Sequence, residues 1–174
     1  LVDSTITENG ANAVSLNGAK MTAQACTLSD NGKNAIDARA SSATAATSLL
    51  KDNGVSAVSA LERSRVTLIG STVSGHPGDA LVVDSSSVDV QDCDVQDNDK
   101  SAIRAHAGTV SVAGSTITRQ GSAALSFEDS RAEVRSTLIT SNGGPALEAV
   151  LSTVSFRDAT IAEHPTDALV LDRS

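Results

Sequence analysis

An alanine followed by an aliphatic residue recurs along the whole chain at a nearly constant interval. The eight pairs are Ala13-Val14, Ala35-Ile36, Ala57-Val58, Ala80-Leu81, Ala102-Ile103, Ala124-Leu125, Ala146-Leu147 and Ala168-Leu169. The interval is 22 residues everywhere except between Ala57 and Ala80, where it is 23. A fixed period of this kind is typical of repeat proteins, in which each unit buries its apolar face only against its neighbours. The one longer interval predicts an extra residue in the turn between Glu62 and Arg65.

Other positions of the repeat show which secondary structure it forms. One aliphatic column consists of Ile6, Leu28, Leu50, Val73, Val95, Ile117, Ile139 and Ile161. Pairs such as Val88/Val90 alternate apolar with polar residues, which predicts short strands with one buried face. Asn-Gly pairs, such as Asn53-Gly54, lie between the strands and predict turns with left-handed or Asx conformations.

Three short strands in every 22 residues, with no helical period, bury their apolar sides only when each coil stacks on the next. We therefore predict an all-β, right-handed parallel β-helix (solenoid) of about eight coils of 22 residues. A left-handed β-helix usually carries hexapeptide repeats and an 18-residue coil, and this chain has neither. At about 4.8 Å for each coil, the stack is roughly 40 Å long. Residues 1–174 are expected to form a single β-helix domain with incomplete coils at both ends, as a segment of a longer chain or a unit that associates end to end.

The composition limits which residue types can form the core and which classes of partner the chain can bind. The chain contains no Trp or Tyr and two Phe, so the core must consist of Val, Leu, Ile and Ala. Its net charge of -8 argues against nucleic acid, because that affinity comes from clustered Lys and Arg. No run of 18 apolar residues is present, so no membrane insertion is expected.

The pattern Asp97-Asn98, Ala102-Ile103, Val110-x-Val112 and Ser115-x-Ile117 resembles the repeats of the pectate-lyase-like superfamily, and the resemblance extends over essentially the whole chain. It implies the parallel β-helix fold. It leaves function open, because the superfamily includes polysaccharide lyases, glycoside hydrolases, uronate epimerases, phage tailspikes and adhesins. We expect an extracellular, periplasmic or cell-surface location and no cofactor.

A polar column precedes each alanine by four residues. Its members are Asn9, Asn31, Asn53, His76, Asn98, Gln120, Asn142 and His164. Stacked side-chain amides can hydrogen-bond to one another along the axis and to turn backbone groups, so this column is predicted to be a structural ladder.

One group of residues has the composition of a catalytic site. Asp84, His106 and Glu128 each follow an alanine by four residues, so stacking should align them, with Arg104 beside His106. Carboxylates and an imidazole at the distance between coils could perform acid-base chemistry on an acidic sugar. A solvated turn with mixed charges predicts the same residue types, and this alternative stays open.

Two cysteines and two aspartates are the remaining candidates for a disulfide or a metal site. Cys26 and Cys93 share a column three coils apart, which is beyond disulfide reach, and are predicted to be buried free thiols. Asp92 and Asp94 are weak candidates for calcium, because hard cations take clustered carboxylate oxygens.

Two functions are consistent with these features. The first is a non-catalytic structural or interaction scaffold of a secreted or surface protein, with a protein or glycan partner. The alternative is a polysaccharide lyase or epimerase-like enzyme that acts on acidic glycans through Asp84, Arg104, His106 and Glu128. The absence of Trp and Tyr and the short coils favour the scaffold, since sugar-processing β-helices usually line a cleft with aromatic rings and inserted loops.

Overall fold

The computed structural model describes all residues, 1–174, and contains 23 strands and no helix. The strands form three parallel sheets that run along the stack, and every coil contributes one strand to a sheet before the chain turns to the next. Sheet 1 contains β1 (Thr5–Thr7), β4 (Thr27–Ser29), β7 (Leu49–Lys51), β10 (Thr72–Ser74), β13 (Asp94–Gln96), β16 (Thr116–Thr118), β19 (Leu138–Thr140) and β22 (Thr160–Ala162). Sheet 2 contains β2 (Val14–Asn17), β5 (Ile36–Arg39), β8 (Val58–Leu61), β11 (Leu81–Asp84), β14 (Ile103–His106), β17 (Leu125–Glu128), β20 (Leu147–Val150) and β23 (Leu169–Asp172). Sheet 3 contains β3 (Lys20–Gln24), β6 (Ser42–Ala46), β9 (Arg65–Ile69), β12 (Ser87–Gln91), β15 (Thr109–Ala113), β18 (Arg131–Arg135) and β21 (Thr153–Arg157).

The register of the sheets follows the sequence period. In sheet 1, Ile6 lies opposite Leu28, and Leu28 lies opposite Leu50, so the predicted aliphatic column is a continuous ladder. The Ala-aliphatic pairs supply a second ladder at the start of sheet 2, where Ala35 and Ile36 are fully buried. The predicted all-β solenoid of about eight coils is confirmed.

A single core fills the space between the three sheets. It contains 37 buried residues, nearly all of them Ala, Val, Leu and Ile. The one large departure is Phe127, which is 2% exposed and lies between Ala105 and Ala149 in sheet 2. Each fully buried Leu or Ile contributes about 1.5–3 kcal/mol relative to exposure, so the stack is held by many small layers.

Each corner between two sheets places at least one residue in the left-handed region, and most of these residues are not glycine. The corners remain stable because their amides pair with the next coil, as where the Asp30 amide donates to the Lys51 carbonyl at 3.2 Å. The left-handed residue before Asn31 is Asp30, and Gly32 has an ordinary φ. The turns at these Asn-Gly pairs therefore contain a left-handed residue, as predicted, but it lies before the asparagine and not at the glycine. Glycine is needed for space instead, because a Cβ atom on Gly54 would lie 2.5 Å from the carbonyl oxygen of Gly32.

The predicted insertion lies between β8 and β9. Three residues separate these strands, whereas two separate the corresponding strands in the other coils. The longer corner places two consecutive residues, Glu62 and Arg63, in the left-handed region.

Both cysteines are buried free thiols, as predicted, with Cys26 2% and Cys93 3% exposed. Burial raises the pKa of the Cys93 thiol, whose sulfur contacts the carbonyl oxygen of Gln91 at 3.1 Å. The structure has no helix that is long and apolar enough to span a membrane.

Candidate functional site

The outer face of sheet 2 carries the residues with the composition of a catalytic site. Asp84, His106 and Glu128 end β11, β14 and β17, and they lie opposite one another in register. Because these strands are parallel neighbours, the three side chains form one row across three successive coils. The stacking predicted from the repeat is therefore present.

The contacts within this row are unequal. His106 Nδ1 lies 3.4 Å from Asp84 Oδ1, and Ser85 Oγ donates to the same carboxylate oxygen at 3.0 Å. Glu128 makes no ion pair with His106. The His106 and Asp84 side chains are 60% and 54% exposed, so water screens their attraction. The row lines a shallow depression of about 310 Å³, together with Leu61, Val82 and Val83.

Arg104 points outward beside His106 but is anchored on the opposite side. Its Nε donates to Asp79 Oδ2 at 2.8 Å, while Asp79 Oδ1 accepts a hydrogen bond from the Ser101 amide at 3.1 Å. The Asp79 side chain is 8% exposed and that of Arg104 is 59% exposed. Asp79 thus holds a guanidinium at the edge of the depression through one hydrogen bond and leaves more than half of that side chain open to solvent.

Sequence reasoning missed Asp79, although a signal was present. Asp79 directly precedes Ala80, and Asn12 holds the same position one residue before Ala13. Asn12 Oδ1 accepts from the Asn34 amide at 2.9 Å, just as Asp79 accepts from the amide of the next coil. A polar column immediately before the alanine was therefore readable as a second set of contacts between coils.

The predicted asparagine ladder runs along the corner after sheet 1. Asn9 Nδ2 donates to Asn31 Oδ1, and Asn31 Nδ2 donates to Asn53 Oδ1, both at 2.9 Å. Asn98 Nδ2 continues the pattern to Gln120 Oε1 at 3.1 Å. These side chains also bond to backbone groups, so the ladder satisfies polar atoms that the tight corner would leave buried without partners.

Towards the C-terminus the ladder loses its continuous side-chain contacts. Gln120 Nε2 donates to the carbonyls of Val95 and Thr118 and not to Asn142. Only the backbone N–H of Gln120 donates to Asn142 Oδ1, at 3.0 Å. The ring nitrogens of His164 lie beside backbone carbonyl oxygens, with Nδ1 3.0 Å from that of Gly144. Gln120 thus keeps the equivalents of the two backbone contacts that Asn53 makes with Leu28 and Lys51, but it makes no side-chain contact with the next coil.

His76 takes the place of an asparagine in the middle of the ladder. Its Nε2 lies 3.3 Å from the amide nitrogen Nδ2 of Asn53, and its Nδ1 lies 2.9 Å from Asn98 Oδ1. Because Asn53 Nδ2 can only donate and Asn98 Oδ1 can only accept, these contacts fit a neutral ring with its proton on Nδ1. Burial lowers the pKa of His76 below its ordinary value, with weaker opposing contributions from the Asn98 hydrogen bond and the Asp52 charge.

The two calcium candidates lie on different parts of the coil. Asp92 is the left-handed corner residue before β13, and Asp94 is the first residue of that strand. No group of three or more His, Cys, Asp or Glu side chains is arranged to hold a metal ion. Neither aspartate therefore forms part of a metal-binding cluster.

Comparison with known proteins identifies the fold. The model of the family described as "Right handed beta helix region" matches residues 1–139. Among solved structures, the chain is similar to the A-module of the Azotobacter vinelandii mannuronan C-5 epimerase AlgE6, with a TM-score of 0.57 and 12% sequence identity. The alignment covers 88% of this chain and 58% of that module, so this chain spans less than two thirds of the module's length. No curated protein matches the sequence.

At 12% identity the likeness to the epimerase module shows a common fold and nothing finer. The family match is more direct, because it covers most of the chain and the same residues form successive parallel coils. The chain therefore belongs to the right-handed β-helix family.

Proposed function

We propose that this chain is a non-catalytic scaffold of a secreted or surface protein, which holds a protein or glycan partner against the flat outer faces of its sheets. The observation that carries the proposal is the shortness of two of the three corners in each coil, those on either side of sheet 3. Corners of two residues join sheet 2 to sheet 3 in nearly every coil, so no loop rises above the faces there. A specific catalytic cleft needs walls that exclude water, and these faces have none.

Rigidity supports the same proposal. Every strand pairs in parallel register with the coils next to it, and the core is one continuous cluster along the stack. A solenoid of this kind keeps its exposed rows at a constant spacing of about 4.8 Å, which suits repeated contacts with an extended partner.

A second function, a lyase or epimerase acting on acidic glycans, is favoured by one specific observation. The register brings His106 within 3.4 Å of Asp84 and places Glu128 next in the row, with Arg104 anchored alongside. An imidazole or carboxylate there could remove the proton beside a uronate carboxyl group while the guanidinium neutralises the carboxylate. The similarity in fold to a mannuronan C-5 epimerase module is consistent with this alternative.

A turnover assay separates the two proposals. The chain is incubated with alginate, pectate and other uronate polymers, with and without calcium, and the products are followed by ultraviolet absorbance for unsaturated ends and by NMR for inverted carbon centres. The scaffold proposal expects no product from any polymer. Product formation that H106A abolishes, and that S126A on the same face retains, would replace the scaffold with the enzyme.

Binding is measured in parallel so that a blank turnover assay is informative. Glycan arrays and pull-downs with surface proteins should reveal a partner that is retained equally by the parent chain and H106A. If both binding screens are blank, the scaffold has no partner-binding role and acts only as a spacer between other parts of its protein.

A further inference from the structure

The corner that contains the inserted residue has an unusual arrangement of side chains. Glu62 and Arg63 are both left-handed, and the Arg63 amide donates to the Ser85 carbonyl at 2.9 Å. Ser64 is 1% exposed and turns into the protein, so its neighbours on both sides, Arg63 and Arg65, point outward. One extra residue thus places two arginines on the same outer edge.

These two arginines border a common set of hydroxyl groups. Arg63 lines a shallow depression of about 290 Å³ with Ser85, Ser87 and Thr109. Arg65 lines the adjoining depression of about 270 Å³, and Ser87 and Thr109 also line that one. The two guanidinium-bearing side chains therefore approach the same two hydroxyls, one from the corner and the other from the sheet.

Neither arginine has a carboxylate partner within the protein. Arg39, Arg104 and Arg119 each form an ion pair with an acidic side chain, whereas Arg63 and Arg65 form none. An acidic protein with a net charge of -8 offers many carboxylates, so two neighbouring arginines without one leave positive charge available for an external anion.

Cationic side chains also outnumber carboxylates on the outer face of sheet 3, which surrounds the two arginines. The outward cationic residues of sheet 3 are Lys20, Arg65, Arg131, Arg135 and Arg157, and its outward carboxylates are Asp89 and Glu133. One of these carboxylates, Asp89, itself lines the depression beside Arg65, where it accepts a hydrogen bond from Gln91 Nε2 at 2.7 Å. This face therefore attracts anions although the whole chain repels them.

We propose that Arg63 and Arg65, with the hydroxyls of Ser87 and Thr109, form a binding site for a phosphate or sulfate group, free or carried as an ester. Guanidinium groups bind such oxyanions through several charge-assisted hydrogen bonds, and the hydroxyls add donors from the floor of the site. Donors converge from the corner, from the strand and from the floor, which matches the oxygens of a tetrahedral group better than those of a planar carboxylate. The site adjoins the Asp84, His106 and Glu128 row, because Ser85 at its edge donates its hydroxyl hydrogen to Asp84 Oδ1 at 3.0 Å.

The test is a titration followed by backbone amide NMR. Inorganic phosphate, inorganic sulfate and glucose 6-phosphate are added separately to the 174-residue chain, and acetate at equal ionic strength serves as the planar control anion. We expect saturable shifts at the amides of residues 63–65 and 85–87 with the three tetrahedral anions and only weak, unsaturable shifts with acetate. Tighter binding of the sugar phosphate would indicate an ester as the ligand, and tighter binding of inorganic phosphate or sulfate would indicate the free ion.

Two variants test the residues. R63S/R65S should weaken binding by about tenfold or more, because it removes both charged donors from exposed positions. R157S is the matched control, since Arg157 is also an outward residue of sheet 3 without an ion-pair partner but lies on β21, two coils beyond the strand of Thr109, and it should leave the affinity unchanged. The proposal is overturned if no shift saturates, if R63S/R65S binds as tightly as the parent chain, or if R157S weakens binding to the same extent.

Discussion

Replacing Asn53 by alanine is expected to destabilise the protein more than most single polar substitutions. Asn53 is fully buried, and its Oδ1 accepts hydrogen bonds from the backbone amide and the side chain of Asn31 at 3.2 and 2.9 Å. Its Nδ2 donates to the carbonyls of Leu28 and Lys51 at 2.9 and 3.0 Å and contacts His76 Nε2 at 3.3 Å. N53A would remove all these contacts and leave their partners inside the stack.

The magnitude follows from the groups left without partners. A buried polar group without a hydrogen bond costs about 1–3 kcal/mol, and at least two such groups remain after N53A, so we expect a loss of about 3–5 kcal/mol in the free energy of unfolding. For a chain of this size, that loss lowers the urea midpoint by about 1.5 M. The chain has no Trp or Tyr, so the transition is followed by far-UV circular dichroism.

N9A is the matched control for this experiment. Asn9 belongs to the same ladder, but it is exposed and its side chain donates only to Thr7 and Asn31. Water can replace these contacts, so N9A should cost less than about 1 kcal/mol. Equal midpoints for N53A and the parent chain, or equal shifts for N53A and N9A, would refute the conclusion that the ladder stabilises the stack by satisfying buried polar groups.

Three further substitutions or reactions test other features. Burial holds the pKa of His76 below 6.5, so between the folded pKa and pH 6.5 the unfolded chain binds a proton that the folded chain does not, and the free energy of unfolding should fall as the pH drops through this range. The urea midpoint should therefore fall less between pH 7.5 and 5.5 for H76N than for the parent chain, and equal falls would contradict the assignment. G54A should lower the free energy of unfolding by about 1–3 kcal/mol, because the added Cβ would lie 2.5 Å from a carbonyl oxygen of the preceding coil. G10A should leave it unchanged, because a Cβ on Gly10 has no atom within 4 Å, and equal urea midpoints for the two variants would contradict the close approach. Cys26 and Cys93 should react with a thiol reagent only after unfolding, because both are nearly inaccessible and burial raises the pKa of Cys93; rapid labelling of the native chain would contradict their burial.

Much of the fold was readable because a solenoid converts sequence position directly into spatial position. Once the period is known, residues that are 22 apart become neighbours in a sheet, so the Ala-aliphatic pairs and the row of Asp84, His106 and Glu128 could be placed without any coordinates. The insertion near Glu62 was readable for the same reason, because only the interval between Ala57 and Ala80 is longer than 22 residues and the extra residue must lie in that coil.

The period did not predict where long side chains point. Arg104 turns towards Asp79, which lies 25 residues earlier, rather than towards the row beside it. Gln120 makes the backbone contacts usual for its column but no side-chain contact with Asn142, so the ladder is interrupted there. A flexible side chain chooses among several partners at similar distances, and a column assignment contains no information about that choice.

The role of the glycines in these turns was not readable from the sequence for a related reason. A left-handed conformation and a close backbone approach both select glycine, and the sequence alone does not distinguish them. In the corner after sheet 1, Asp30 adopts the left-handed conformation, while Gly32 provides the room for the neighbouring coil.

The stacking of the coils also determines how the protein would respond to a pulling force on its two ends. Each coil is joined to the next by parallel strand pairs in all three sheets, so a force along the stack would open one layer before it loads the next. A coil of 22 residues releases about 75 Å of chain when it is fully extended, whereas it occupies only about 5 Å of the stack. The molecule is therefore short and stiff at rest, and it would lengthen in equal steps under tension, as an extensible tether does.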